Sequence, residues 1–348
     1  MRKLASVQKV AAVTPIEGAD RIELVHVLGW QCVAAKDEFK VGDLAVFFEV
    51  DSFLPAREEF EFLRKNSYKK TDFMGEGFRL KTMRMRGQLS QGLCMPVSKL
   101  PELKYLDLVD GMDLTEILGV REWDEPERVG SEGTIKSGRP TYVPKTDETR
   151  VQSIPALIDE FKDVPYYITT KMDGSSHSIG IENGEVTYTS HNCTIIDDGK
   201  SAFVNYVKEQ GIVDKMLAFY EYSKLDSMVL QGEWCGAGIQ NNRLKLTKPE
   251  WFVFTLMTNG ARWGLNITEQ VCQELGAKMV PVEEVGDNLF DKYPDMDALL
   301  KRAEGIGYNG TTKEGIVIRP QVPIRSKILQ APLSMKVLNN EYLLKNDG

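Results

Sequence analysis

The chain has 348 residues, 42% of them hydrophobic and 27% charged, with a formal net charge of −8. That length suggests two domains, and the composition is that of an ordinary globular protein. The acidic balance argues against a general nucleic-acid coat protein, so a local basic patch carries more weight than the total.

Five cysteines (Cys32, Cys94, Cys193, Cys235, Cys272) form no Cys-x-x-Cys pair, and there are only three histidines. Neither a zinc site nor a disulfide framework is expected, and reduced thiols fit best. The basic start Met1-Arg2-Lys3 has no apolar core behind it, so it is not a signal peptide. No apolar run approaches the ~18 residues of a membrane span. A cytoplasmic protein, or a nuclear one in a eukaryote, is expected; a secreted or membrane protein is not. Asn192-Cys193-Thr194, Asn266-Ile267-Thr268 and Asn309-Gly310-Thr311 then carry no meaning for glycans.

Residues 1–118 read as strands with loops. Arg21–Leu28 alternates, Trp30–Ala35 follows Gly29, and Leu44–Val50 is a strand of the fully buried type. Phe78–Met85 and Gly92–Val97 give two more. About five short strands with glycine turns suggest a small β-barrel of the OB type. Gly18-Ala19-Asp20-Arg21-Ile22 and Arg86-Gly87-Gln88-Leu89-Ser90-Gln91-Gly92-Leu93 resemble the OB-type tRNA-binding domains. Small barrels also need such turns for their own sake. Arg64, Lys65, Lys69, Lys70, Arg79, Lys81, Arg84 and Arg86 lie close together, with Tyr68, Phe73 and Phe78 among them. Basic charge can follow a phosphate backbone while aromatics stack on bases, so nucleic-acid contact is expected there, against the alternative of a solvated hairpin.

Residues 119–147 read as a linker, with Glu122, Asp124, Glu125, Pro126 and Glu127, then Gly130, Gly133, Gly138, Pro140 and Pro144. Residues 148–348 then mix strands and helices. Tyr166–Thr170 is a strand, and Asn183-Gly184 marks a hairpin between Ser178–Ile181 and Val186–Thr189. Helices are expected over Ser201–Gln210, Val213–Tyr222 and Asp295–Glu304. Another runs from an Asn266 cap to Gly276. Further strands are Asp226–Trp234, Trp251–Leu256, Glu314–Arg319 and Leu333–Leu338.

Lys171-Met172-Asp173-Gly174 closes the Tyr166 strand, so the amine sits on a rigid element before a turn where a ligand can approach closely. A lysine becomes a nucleophile only when deprotonated, which desolvation or a nearby cation favours, and Asp173 could bind such a cation. Arg150, Glu233, Glu314 and Lys336 lie at or near strand ends. Each alone is an ordinary surface charge. Together they supply a nucleophile, carboxylates for a metal and cations for phosphate, the set that nucleotidyl transfer needs.

The order Lys-x-Asp-Gly, Gly-Glu (Gly232-Glu233), Glu-Gly-Ile-Val-Ile (Glu314–Ile318) and then a lysine resembles the covalent nucleotidyltransferases: ATP-dependent DNA and RNA ligases and mRNA capping enzymes. Thr146–Gln152 resembles the RNA ligase branch. An OB-type domain placed first, with about a dozen residues after Lys336 and so no room for a C-terminal one, resembles the nick-sealing fifth RNA ligase family. The resemblance implies an α+β chain, with an N-terminal OB-like barrel followed by a mixed α/β nucleotidyltransferase domain of ATP-grasp-like ligase type. It implies that Lys171 takes the adenylate and that Asp173, Glu233 and Glu314 serve Mg²⁺ or Mn²⁺. Arg150 and Lys336 would contact phosphate. The implied ATP-binding set is Arg150, Thr170, Met172, Gly174, Asn192, Phe254, Ile316 and Lys336. Phe252 or Phe254 would stack on adenine, with Ile316 on the other face. His191, in Ser190-His191-Asn192, stands where an arginine is frequent, and one lysine is evident where two are frequent. The implied partner is RNA, or an RNA/DNA duplex with a nick whose 3′-hydroxyl strand is RNA, engaged by a monomer. The alternatives are a capping guanylyltransferase, a DNA ligase, or a non-catalytic OB-type RNA-binding protein.

Overall fold

The computed structural model describes residues 2–123 and 133–346. The linker residues Asp124, Glu125, Pro126, Glu127 and Gly130 lie outside them. The chain forms two compact units: Met1–Glu127 with Gln152–Pro155 and Leu343–Gly348, and Arg128–Val151 with Ala156–Tyr342.

In the first unit the strand Leu44–Phe48 separates two cores. Ala45 and Phe47 pack with Val25, Trp30 and Cys32 on one face. Val46 and Phe48 pack with Leu54, Phe60 and Phe78 on the other. Burial on both faces explains why this strand reads as an unbroken apolar run. It pairs with Ala5–Lys9 and Leu93–Pro96, while Ala12–Pro15, Ile22–Val27 and Trp30–Ala35 form a second ladder. The described ladders do not close into one barrel. Side chains cross a gap instead: the Ser90 hydroxyl accepts from Val33 N at 3.0 Å, and Gln31 Nε2 donates to Leu89 O at 2.7 Å. The single strand expected over Phe78–Met85 is two, Gly75–Arg79 and Thr82–Met85, which belong to different sheets.

The basic segment is partly structural. Phe78 is fully buried. Arg64 pairs with Glu61 and lies 4.3 Å from the Tyr68 ring, and the Tyr68 hydroxyl donates to Glu76 at 2.6 Å. Phe73 stays 42% exposed, and Lys65, Lys70, Arg84 and Arg86 are exposed.

The second unit holds an eight-stranded sheet and a four-stranded one. Ile135–Ser137, inside the expected linker, pairs with Cys193–Ile195 at the edge of the larger sheet. Strands Ser175–Glu182, Ser227–Cys235 and Glu250–Thr258 run antiparallel at its centre. The helices Ala202–Glu209, Ile212–Ser223 and Leu265–Leu275 cover one face, around Phe203, Trp234 and Trp251. The Asn183-Gly184 turn has positive φ at both residues (53° and 76°), the geometry that matches strand twist in a tight hairpin. Gly264, not Asn266, precedes the Leu265 helix, and Gly276 at φ 70° ends it. The smaller sheet orders Val282–Gly286, Tyr166–Lys171, Gly315–Pro320 and Met335–Leu338. No described helix is long and apolar enough to cross a membrane.

Candidate active site

Lys171 is the last residue of Tyr166–Lys171 and pairs with Gly315, so Glu314 lies beside it. Lys171 Nζ donates to Glu314 Oε1 at 2.6 Å. A Cβ on Gly315 would lie 2.3 Å from Val337 O, so only glycine lets the Glu314 strand close on its neighbour. Across the site, Ser176 pairs with Glu233, which brings Glu233 in from the larger sheet. A Cβ on Gly174 would lie 2.4 Å from Trp234 O and 3.0 Å from Glu233 Cγ. The Asp-Gly turn thus fits directly against the Glu233 strand. Asp173 accepts from Arg243 Nη1 at 3.3 and 3.4 Å, and that nitrogen also lies 3.3 Å from the Tyr342 hydroxyl.

Electrostatics tie these groups together. Burial alone would lower the Lys171 amine, but Glu314, Glu233 and Asp173 outweigh it and hold the amine above its ordinary value. Burial pushes Glu233 up to about 7, against Lys171 and with Glu314 and Asp173. Burial likewise raises Glu314, with Lys171 and Lys336 opposing. Burial is the largest influence on Lys171, Glu233 and Glu314, while Lys171, Lys336 and Arg243 supply the positive charge that faces the carboxylates. Glu314 Oε2 is buried without a hydrogen-bond partner. These donors fit a divalent cation that is shared with a ligand or reached through its water shell. Among the described residues no three His, Cys, Asp or Glu side chains converge to hold a metal alone.

The structure brings Lys171, Asp173, Gly174, Glu233 and Glu314 together, with Lys336 near enough to act on Glu314. Arg150 bridges to Lys336, whose N–H donates to Thr149 O at 2.8 Å. Met172 is buried with Cys235 and Phe252, and Phe254 packs on the same cluster. Phe252 is buried and stacked edge-on to Tyr308 at 5.2 Å. Phe254 sits at a β-bulge, where the register shifts beside Gly232, and keeps part of its ring exposed. Arg319 lies 5.8 Å from that ring and pairs with Glu148. Of the two rings, Phe254 is the more exposed.

Two expected residues face the wrong way. Ile316 pairs with Thr170, one step from the Lys171–Gly315 pair, so both point away from the amine. Ile316 is fully buried, and the Thr170 hydroxyl donates to Glu283 at 2.8 Å. Val317, half-exposed and paired with Lys336, is the aliphatic residue on the Lys171 face. Asn192 accepts from Lys145 Nζ at 2.9 Å. His191 lies 4.0 Å from Asp147, and Arg139 Nη1 donates to the Ser190 and His191 carbonyls at 3.0 and 3.1 Å. Arg243, Tyr342 and Glu283 were not expected. They lie in no motif, and only the fold brings them to Asp173 and Thr170.

A family model described as RNA ligase matches residues 164–337, and one described as an OB-fold domain matches residues 4–97. The chain is similar to solved structures of Naegleria gruberi RNA ligase. The form with PPi is 30% identical, covers 100% of this chain and 99% of that one, and superposes with a TM-score of 0.87. A mutant form with ATP and Mn is 29% identical, with 99% of each chain covered and a TM-score of 0.88. Another mutant, with AMP and Mn, is 30% identical over 99% of each chain, again with a TM-score of 0.88. A comparison with curated proteins finds no match.

Proposed function

The chain belongs to the RNA ligase family, and on that premise we propose that it is an ATP-dependent ligase joining a 3′-hydroxyl to a 5′-phosphate through an adenylate on Lys171. The observation that carries this reading is the 2.6 Å contact of Lys171 with Glu314, beside Glu233 and Asp173. In the first step Lys171 Nζ attacks the α-phosphorus of ATP; an N–P bond forms, the bond to the β-phosphate oxygen breaks, and pyrophosphate leaves. The adenylate then passes to the 5′-phosphate, and the 3′-hydroxyl displaces AMP. Phe254 stacks on adenine, Val317 lines the opposite side, and Lys336 and Arg150 meet phosphate oxygens. Asp173, Glu233 and Glu314 would hold Mg²⁺ or Mn²⁺, which supplies positive charge to the carboxylates and the triphosphate when bound.

The proposed substrate is a nick in duplex nucleic acid whose 3′-hydroxyl strand is RNA, bound by a monomer. The 2′-hydroxyl and A-form shape of the terminal nucleotides would set that choice. The first unit, with its exposed Lys65, Lys70, Arg84 and Arg86, supplies nucleic-acid contact as the OB domain. Five free cysteines fit a reducing cytoplasm or nucleus. Incubation with ATP and Mg²⁺ or Mn²⁺, followed by intact-mass measurement, should add one AMP. Labelling by GTP instead would favour a capping enzyme, and equal sealing of all-DNA nicks a DNA ligase. RNA binding without any covalent nucleotide would refute a ligase reading.

A further inference from the structure

Lys171 and Glu314 must stay aligned, yet Lys171 ends one strand and Glu314 immediately precedes another. The residues just before them, Thr170 and Lys313, reach the same carboxylate. The Thr170 hydroxyl donates to Glu283 Oε1 at 2.8 Å, and Lys313 Nζ donates to Glu283 Oε2 at 2.6 Å. Arg302 Nη1 holds that second oxygen as well, at 2.7 Å. Lys313 is only 9% exposed, so its amine depends on this partner.

Glu283 does not pair in the ladder. Ile168 pairs with Glu284 and Thr169 with Val282, so Glu283 is the extra residue of a β-bulge. A bulge bends its strand and re-aims a side chain, and it recurs beside active sites. Here it turns Glu283 onto the side of the sheet away from Lys171, where it meets Thr170. Glu283 touches neither Lys171 nor Glu314, and the sheet's own hydrogen bonds would tolerate some fraying at both strand ends.

We propose that Glu283 is a positioning residue for the adenylation step: by binding Thr170 and Lys313 together, it fixes the ends of two strands and so the placement of Lys171 against Glu314. This rests on Lys171 as the nucleophile. Attack on a phosphorus needs an aligned amine, and misplacement by about 1 Å can cost about 100-fold. ATP binding depends less on that alignment. Glu283 therefore acts on the rate of adenylation more than on ATP affinity.

The test uses the full chain with Glu283→Gln, Lys313→Met, the double variant, and Lys171→Ala as control. Gln keeps an acceptor for Thr170 but loses the charge that holds Lys313. Single-turnover adenylation at saturating ATP should fall about 10-fold or more in E283Q, with ATP affinity within about 2-fold. Sealing of a pre-adenylated nick should fall less. The double variant should be no slower than the slower single variant, because either substitution alone already removes the Glu283–Lys313 contact that the two share. Should E283Q fold poorly, the double variant, which removes both charges, carries the same comparison against K313M. A normal adenylation rate in E283Q, rate losses that multiply in the double variant, or equal losses in both half-reactions would overturn the proposal. Adenylation persisting in K171A would instead overturn the nucleophile assignment beneath it.

Discussion

Gly174→Ala tests whether the turn after Lys171 must fit against the Glu233 strand. The φ of Gly174 lies outside the left-handed region, so the backbone itself would accept alanine. Removing a glycine's freedom from the unfolded chain would then stabilise the protein by about 0.4–1 kcal/mol. Space opposes this. The new Cβ would lie 2.4 Å from Trp234 O and 2.7 Å from Cys235 Sγ. Reaching even a tight 3.0 Å requires about 0.6 Å of movement, and the nearest obstacle is a backbone carbonyl inside a sheet. Overpacking of this kind costs about 1–3 kcal/mol, which outweighs the gain. The strand that must yield carries Glu233, and the turn that must yield carries Asp173. Displacements of this size at reacting groups cost up to about 100-fold in rate. For a domain of this size a net loss of 1 kcal/mol lowers the melting temperature by only about 2–4 °C. The variant should therefore be folded at 25 °C and should form lysyl-AMP about 100-fold more slowly, measured by single-turnover labelling beside a melting curve. A wild-type labelling rate, or a loss that matches the fraction unfolded, would refute the steric argument.

Lys171→Ala should abolish covalent labelling by ATP yet retain some sealing of a pre-adenylated nick, which gel assays of the two half-reactions will show. Glu314→Ala should slow adenylation at limiting metal by at least about 100-fold, the scale of losing one preorganised electrostatic contact; a near-normal rate would refute its role in that step. Phe254→Ala should weaken ATP binding by about 5- to 150-fold, the ~1–3 kcal/mol of one stacking contact, whereas Phe252→Ala should mainly lower the melting temperature. Glu284 is opposed by burial, but bonds from Tyr166, Tyr293 and Lys292 hold it down at about 2, below its ordinary 4.5. Its contribution is then complete above about pH 4.5 and is lost as pH falls toward 2, so melting curves of Glu284→Gln should show a shallower acid slope over that window.

Much of this was legible from local chemistry. The Asn-Gly hairpin, the Gly276 stop and the position of Lys171 at a strand end depend on few neighbours, and the structure shows all three. What failed needed long-range pairing. Ile316 and Val317 differ by one position, and one position in a strand exchanges the two faces. Only the Lys171–Gly315 pairing shows that Val317 lies on the Lys171 face. Choosing between Phe252 and Phe254 likewise requires the bulge in their strand, for alternation alone places both on one side. The register shift falls opposite Gln231 and Gly232, and nothing in either residue type announces it. Arg243 and Tyr342 reach Asp173 from 70 and 169 positions away, with no motif to mark them.

The resting site is held by opposing forces. Burial pushes the Lys171 amine toward its neutral form, and three carboxylates pull it back to the charged one. Burial also raises Glu233 to about 7, and Glu314 Oε2 is buried without a hydrogen-bond partner. Such a cluster costs stability unless a ligand completes it, so it points to chemistry rather than to stability. Arg243 is already committed to Asp173, and Lys336 acts on Glu314 from the neighbouring strand. Once the carboxylates are neutralised, the pull on Lys171 weakens while its burial is unchanged. Under the proposed mechanism the amine then loses its proton where the α-phosphate arrives. Under that mechanism, one and the same desolvation costs stability in the resting protein and favours the neutral amine in the loaded one.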